Sequence, residues 1–125
     1  MTGDPYLELV LQREEETVPS VRSQVLFRQL NDQIRVLADG FGLSSECELV
    51  CECVDRACFE RVNVPFKDYE MARRFPTRFV VKAGHVAEDA ERVIQELDGF
   101  VIIEKVGDDA DIAAALDPRK RRGPA

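Results

Sequence analysis

The sequence predicts a small α+β domain held together by a metal ion, on three observations. Apolar residues recur first at helical and then at strand spacing; four cysteines crowd into residues 47–58; and a length of 125 residues suits one modest core. The expected layout is an N-terminal arm over residues 1–20, a metal-binding domain over 21–106, and a C-terminal tail over 107–125 with a basic end.

The arm carries the apolar run Tyr6-Leu7-Glu8-Leu9-Val10-Leu11, then Glu14-Glu15-Glu16 and a turn signal at Pro19-Ser20. Its alternation is too weak to fix helix or strand. From Ser23 the pattern becomes regular, with Phe27, Leu30, Ile34, Leu37 and Phe41 spaced by three and four residues, the signature of one apolar helical face. Ser20 or Ser23 suits the N-cap, and Gly40-Phe41-Gly42 suits the end. This amphipathic helix is expected to bury its stripe on the protein's own sheet; the alternative is a dimer or partner docking through the 23–39 helix.

Between Cys47 and Cys53 the residues alternate, with Cys47, Leu49, Cys51 and Cys53 on one side and Glu48 and Glu52 on the other, which predicts a strand. A turn over Val54–Ala57 and alternation over Phe59–Val64 complete a β-hairpin that carries the cysteines. Pro65 opens a helix to about Arg74, with Phe66, Tyr69, Met71 and Ala72 available for packing, and Pro76 stops it. A strand at Arg78–Lys82, a turn at Gly84, a helix near Glu88–Leu97 with Val93, Ile94 and Leu97 inward, and a strand at Phe100–Lys105 follow. Beyond Gly107 only Ile112–Leu116 retain apolar spacing, enough for a helical turn or two.

Three thiols in Cys51-Glu52-Cys53-Val54-Asp55-Arg56-Ala57-Cys58 admit a metal site, a disulfide through Cys58, a reactive nucleophile or plain core packing. On a strand Cys51 and Cys53 share a face with Cα atoms about 6.5 Å apart, and their sulfurs can close to the ~3.8 Å that one tetrahedral zinc requires. Cys58 returns on the doubled-back segment as a third ligand. His85, the single histidine, sits on a turn where its ring can approach as a fourth. The predicted set is a Cys3His zinc site of Cys51, Cys53, Cys58 and His85 with Zn²⁺ as cofactor. Cys47 competes for the fourth place, but on a regular strand it lies about 13 Å from Cys51, so it reads as a small buried apolar residue.

Composition narrows the function. A formal net charge of −7 disfavours a general affinity for nucleic acid, and only Arg119-Lys120-Arg121-Arg122 dissents, a run more often a solvated tail than a phosphate dock. No apolar run approaches a membrane span and no signal-like leader opens the chain, so a cytoplasmic location is expected, where clustered cysteines favour metal over disulfide. Glu52 and Glu60 are expected to point away from Cys51 and Cys53 as surface carboxylates, there is no glycine-rich phosphate loop, and no serine, histidine and aspartate set forms while His85 holds a metal. No enzyme is predicted. The expected function is a regulatory module that binds another protein through the 23–39 helix or an exposed sheet. The alternatives are a nucleic-acid-associated protein using the basic tail, and a thiol redox switch, against which the acidic neighbours Glu48, Glu52, Asp55 and Glu60 argue.

Residues 26–105 also resemble a small uncharacterised bacterial family of high-GC lineages. Its pattern is an R-x-x-N-x-x-I helix, C-E-C-x4-C-x-E, a Tyr-Glu helix, P-x-x-F, P-G-H and V-V-E-K. The matching residues are Arg28–Ile34, Cys51-Glu52-Cys53 through Cys58-Phe59-Glu60, Tyr69-Glu70, Pro76–Phe79, Gly84-His85 and Ile102–Lys105. The resemblance implies that Cys58 and His85 belong to one site, and it brings no activity. Ala83 stands where the pattern has proline and Val54 where it has glycine after C-E-C, departures that touch turn geometry and remove no ligand.

Overall fold

The computed structural model describes residues 19–42 and 45–119. The arm up to Val18 and the basic residues Lys120–Arg122 lie outside the described residues. The domain is α+β: helix α1 (Pro19–Gly40), the hairpin strands β1 (Glu46–Val50) and β2 (Arg61–Pro65), helix α2 (Phe66–Arg73), strands β3 (Arg78–Lys82), β4 (Glu91–Glu96) and β5 (Phe100–Lys105), and helix α3 (Asp108–Ala115).

The strands form two small antiparallel sheets, β1-β2 and β3-β5-β4. In the hairpin Glu46 faces Pro65 and Val50 faces Arg61. Alternation works as read: Cys47, Leu49, Val62 and Val64 are buried while Glu48, Arg61 and Asn63 are exposed. Pro65 ends β2 and opens α2, its fixed φ of −58° suiting that junction. Strand β5 lies in the middle of its sheet and packs on both faces. Phe79, Val81, Val101 and Ile103 line one side with Val21, Val25, Ala113 and three cysteines. Val80, Phe100 and Ile102 line the other with Cys47, Leu49, Tyr69 and the hairpin valines. Apolar side chains at successive positions are what a strand covered on both faces requires.

Two expectations are corrected. Residues 88–97 contain a strand, not a helix. Strand β4 pairs with β5 from Glu91 opposite Lys105 to Glu96 opposite Val101, and a bulge between Val93 and Gln95 inserts Ile94. The extra residue breaks the period of two, so Val93, Ile94 and Leu97 mimic helical spacing. A two-residue Asp98-Gly99 turn, closed by Leu97 N–H donating to Phe100 O at 2.9 Å with Gly99 at φ 86°, marks the hairpin.

The second correction concerns α1. Of its predicted stripe, Leu30, Leu37 and Phe41 face outward at 46%, 58% and 76% exposure, beside Leu26 at 64%, while Phe27 and Ile34 are half-buried and Ile34 packs against the core. The buried face is Val21, Gln24, Val25, Arg28, Asn31 and Ala38. Period alone cannot say which face turns inward, and here polar residues with specific partners decide it. Arg28 donates to Pro76 O at 2.7 Å and to Ala113 O at 3.1 Å, and stacks 4.4 Å from the centroid of Phe79. Asn31 accepts from Val50 N–H at 2.9 Å and donates to Val50 O at 2.8 Å, satisfying both backbone groups where β1 ends.

Helix α3 starts on Asp108, Asp109 and Asp111, which complement the positive end of its dipole. Asp117, just past its end, is buried against Arg73 at 2.8 Å, and Arg73 also grips Asp32 of α1 at 2.9 Å. Arg119, first of the basic run, pairs with Glu70 at 2.8 Å and Asp32 at 3.3 Å.

Candidate metal centre

The cysteine segment leaves the hairpin to cross between sheets. Cys51 N–H still donates to Glu60 O, the last rung beyond β1 and β2, but Glu52 N–H donates to Val80 O of β3, both at 2.9 Å. Because the backbone stays extended, Cys51 and Cys53 point one way and Glu52 the other. A tight turn follows. The Asp55 carboxylate accepts from Ala57 N–H, and Asp55 O accepts from Cys58 N–H, both at 2.9 Å, bringing the third thiol back beside the first two. His85 arrives from the end of β3 on a turn in which its N–H donates to Lys82 O at 3.0 Å and Gly84 adopts φ 89°. Only glycine enters that conformation without strain.

These elements place Cys51 Sγ, Cys53 Sγ, Cys58 Sγ and a His85 ring nitrogen within 4.8 Å of one another. His85 Nδ1 lies 3.6 Å from both Cys51 Sγ and Cys58 Sγ. A tetrahedral zinc with bonds of about 2.3 Å to sulfur and 2.0–2.1 Å to nitrogen sets a sulfur-to-nitrogen edge of about 3.5 Å, so the spacing fits such an ion. The three cysteines are buried and His85 is half-buried. All four cysteines are free thiols, so the disulfide considered for Cys58, to Cys51 or to Cys53, does not form. Cys47 packs in the opposite core cluster, outside the group, as a small apolar side chain.

Burial pushes the Cys51 thiol well up from its ordinary range and raises that of Cys53. A bound divalent ion has to displace those protons, which couples metal uptake to proton release. One backbone group already points the right way: Lys82 N–H lies 3.1 Å from Cys51 Sγ, a donor that favours the thiolate.

Comparison with known protein families, curated proteins and solved structures finds no match for this chain.

Glu52 corrects a further expectation, because it is fully buried rather than on the surface. Alternation sends it away from the sulfurs as expected, but the far side of this segment is covered by α1 and β3. Its carboxylate accepts from Val80 N–H at 2.8 Å and from Asn31 Nδ2 at 2.7 Å. Burial raises its pKa to about 7, against those two hydrogen bonds and the nearby Arg28 charge. Gln24 completes the frame by donating to Glu52 O at 3.0 Å and to Glu91 at 2.7 Å, and Glu91 in turn pairs with buried Lys105 at 3.1 Å. Sequence reasoning missed this polar support. Its signal is present, since Gln24, Arg28 and Asn31 recur at spacings of four and three, an apolar-stripe pattern written in polar residues. Glu60, by contrast, is an exposed carboxylate paired with Lys82 at 2.8 Å.

Proposed function

We propose that this chain is a non-enzymatic zinc-binding module whose ion is structural and whose outward α1 face docks another protein. The observation that carries the zinc reading is the convergence of three buried thiols and one imidazole within 4.8 Å of one another, with His85 Nδ1 3.6 Å from both Cys51 Sγ and Cys58 Sγ. Neutral imidazole with three thiolates matches borderline-soft Zn²⁺, and four protein donors complete its tetrahedron. A catalytic zinc keeps one position for water and has a base beside it. Here Glu52 points away with both oxygens engaged, and Glu60 is tied to Lys82. The ion acts as a clamp between the hairpin loop and the turn after β3, supplementing a core split into two clusters.

The interaction reading rests on the exposed residues of α1, since Leu26, Leu30, Leu37 and Phe41 lie along one side of a helix anchored by its other side. The basic tail supports a phosphate-binding role less well, because Arg119 is already engaged by Glu70 and Asp32.

Elemental analysis of protein purified without added metal is expected to give one zinc per chain, and a strong chelator is expected to collapse the far-UV circular dichroism. A chain equally folded with and without metal would overturn the structural role. Binding of cobalt with thiolate charge-transfer absorption that disappears in Cys58→Ser would independently confirm the donor set.

A further inference from the structure

The outward side of α1 gains an aromatic from outside the helix. Phe59, one residue past Cys58, is 68% exposed and stands edge-on to Phe27 with ring centroids 6.0 Å apart. Toward the other end of the helix the face opens into a groove against the hairpin. Ile34, Leu37 and Phe41 line it, and Glu46 and Glu48 of β1 put two carboxylates along it. From residue 26 to the end of α1, Asp39 is the only exposed charged position, and its carboxylate lies 3.9 Å from Arg35.

We propose that this face binds a second copy of the chain, with the two α1 helices packed antiparallel about a two-fold axis near Ile34. The inference rests on the docking role assigned to α1 above and names the partner. Phe27, Leu30, Ile34, Leu37 and Phe41 follow one another at three, four, three and four residues, the spacing of a helix-pairing seam. About Ile34 that series is almost its own mirror image. A single antiparallel register therefore sets Leu30 against Leu37 of the second copy, Ile34 against itself, and Phe41 of the second copy against Phe27 and Phe59. A surface that matches itself in this way is what a two-fold dimer requires.

The carboxylates choose the direction. Packed parallel, two copies would bring Glu46 and Glu48 of both to the same end, where like charges repel. Packed antiparallel, the two carboxylate pairs stand at opposite ends, and each meets the 26–33 half of the other helix. That half offers the exposed Gln29 and Gln33 amides as donors, with exposed Arg22 one turn beyond Leu26. Glu48 is moreover already paired with Arg61 at 3.1 Å.

Area sets the strength. At about 200 Å² for an aromatic side chain and about 120 Å² for a leucine, the exposed parts of Phe41, Phe59, Leu26, Leu30 and Leu37 come to roughly 500 Å² per copy. Two copies bury about 1,000 Å², the lower bound of a specific interface, which suits a pair that exchanges with monomer.

Sedimentation equilibrium of the full-length, zinc-loaded chain from about 1 μM to about 1 mM is expected to show a monomer–dimer equilibrium, half dissociated between about 10 and 100 μM. Leu30→Lys or Leu37→Glu alone, both at exposed positions, is expected to raise the dissociation constant at least about tenfold, with circular dichroism and zinc content unchanged. The double variant is expected to recover most of that loss, because the antiparallel register sets each new ammonium against a new carboxylate. In a parallel pair the same double variant opposes like charges and stays monomeric, so a double no tighter than the singles would overturn the arrangement. A chain that is monomeric throughout the range with its zinc and fold intact would overturn the dimer and leave α1 to a different partner. A dimer that neither single variant weakens would overturn the dimer seam and the docking role of α1 together.

Discussion

Replacing Asn31 by alanine tests the orientation of α1 directly. The Asn31 side chain is fully buried and makes three hydrogen bonds, to Val50 N–H, to Val50 O and to Glu52 Oε2. Truncation leaves two backbone groups at the end of β1 and one buried carboxylate oxygen without partners. An orphaned buried polar group costs about 1–3 kcal/mol, and Val50 is partly accessible to water, so the loss is expected to total about 3–5 kcal/mol. The better helix propensity of alanine returns only about 0.7 kcal/mol at most. Against a domain stability of about 5–15 kcal/mol this is a large fraction, measurable by urea denaturation followed by circular dichroism with zinc held saturating. Leu30→Ala, on the same helix but outward, is the control and is expected to stay within about 0.5 kcal/mol of the parent in stability. If Leu30→Ala proves the more damaging of the two, the apolar stripe packs inward and the polar face does not.

At the metal centre, Cys58→Ser and His85→Ala are each expected to lose stoichiometric zinc and most of the fold's stability, whereas Cys47→Ser keeps its zinc and shows only an ordinary core penalty, as elemental analysis and thermal melts of the three variants would show. Acid should weaken the α1-α2-α3 junction: burial alone would raise Asp32 and Asp117, but hydrogen bonds from Arg73 hold both below the usual carboxylate range. Because their folded pKa values are depressed, the stabilisation is complete above the unfolded value of about 3.9 and is lost as pH falls through the folded ones. Melting temperatures from pH 6 to pH 2 should accordingly fall less steeply for Asp117→Asn than for the parent, the difference separating this junction from acid release of zinc. Gly99→Ala in the β4-β5 turn has room for its Cβ but not the right backbone, and about 1–2 kcal/mol of destabilisation is expected from φ 86° alone, read by urea titration.

The parts of the fold that follow from local rules were legible in the sequence. Alternation located the hairpin, Pro65 located the start of α2, and cysteine spacing with a lone histidine after Gly84 picked out the four residues that the structure brings together. What escaped depends on contacts between distant segments. The inward face of α1 is chosen by backbone groups of Val50, Pro76 and Ala113, which no helical wheel displays. Glu52 obeys the alternation but is buried because β3 and α1 cover the side that a free hairpin would expose to water. Strand β4 was hidden by one inserted residue, although Asp98-Gly99 was a hairpin signal in plain view.

A helix seated only by greasy contacts can rotate or slip by a turn at little expense, but α1 is keyed. The Gln24 amide, the Arg28 guanidinium and the Asn31 amide each fit one socket in the body of the protein, so a slip of one turn would strand all of them at once. The outward side chains of this helix are thereby relieved of any duty to the fold. Mutation can redraw that face while the register that holds the cysteine loop against its neighbours stays locked.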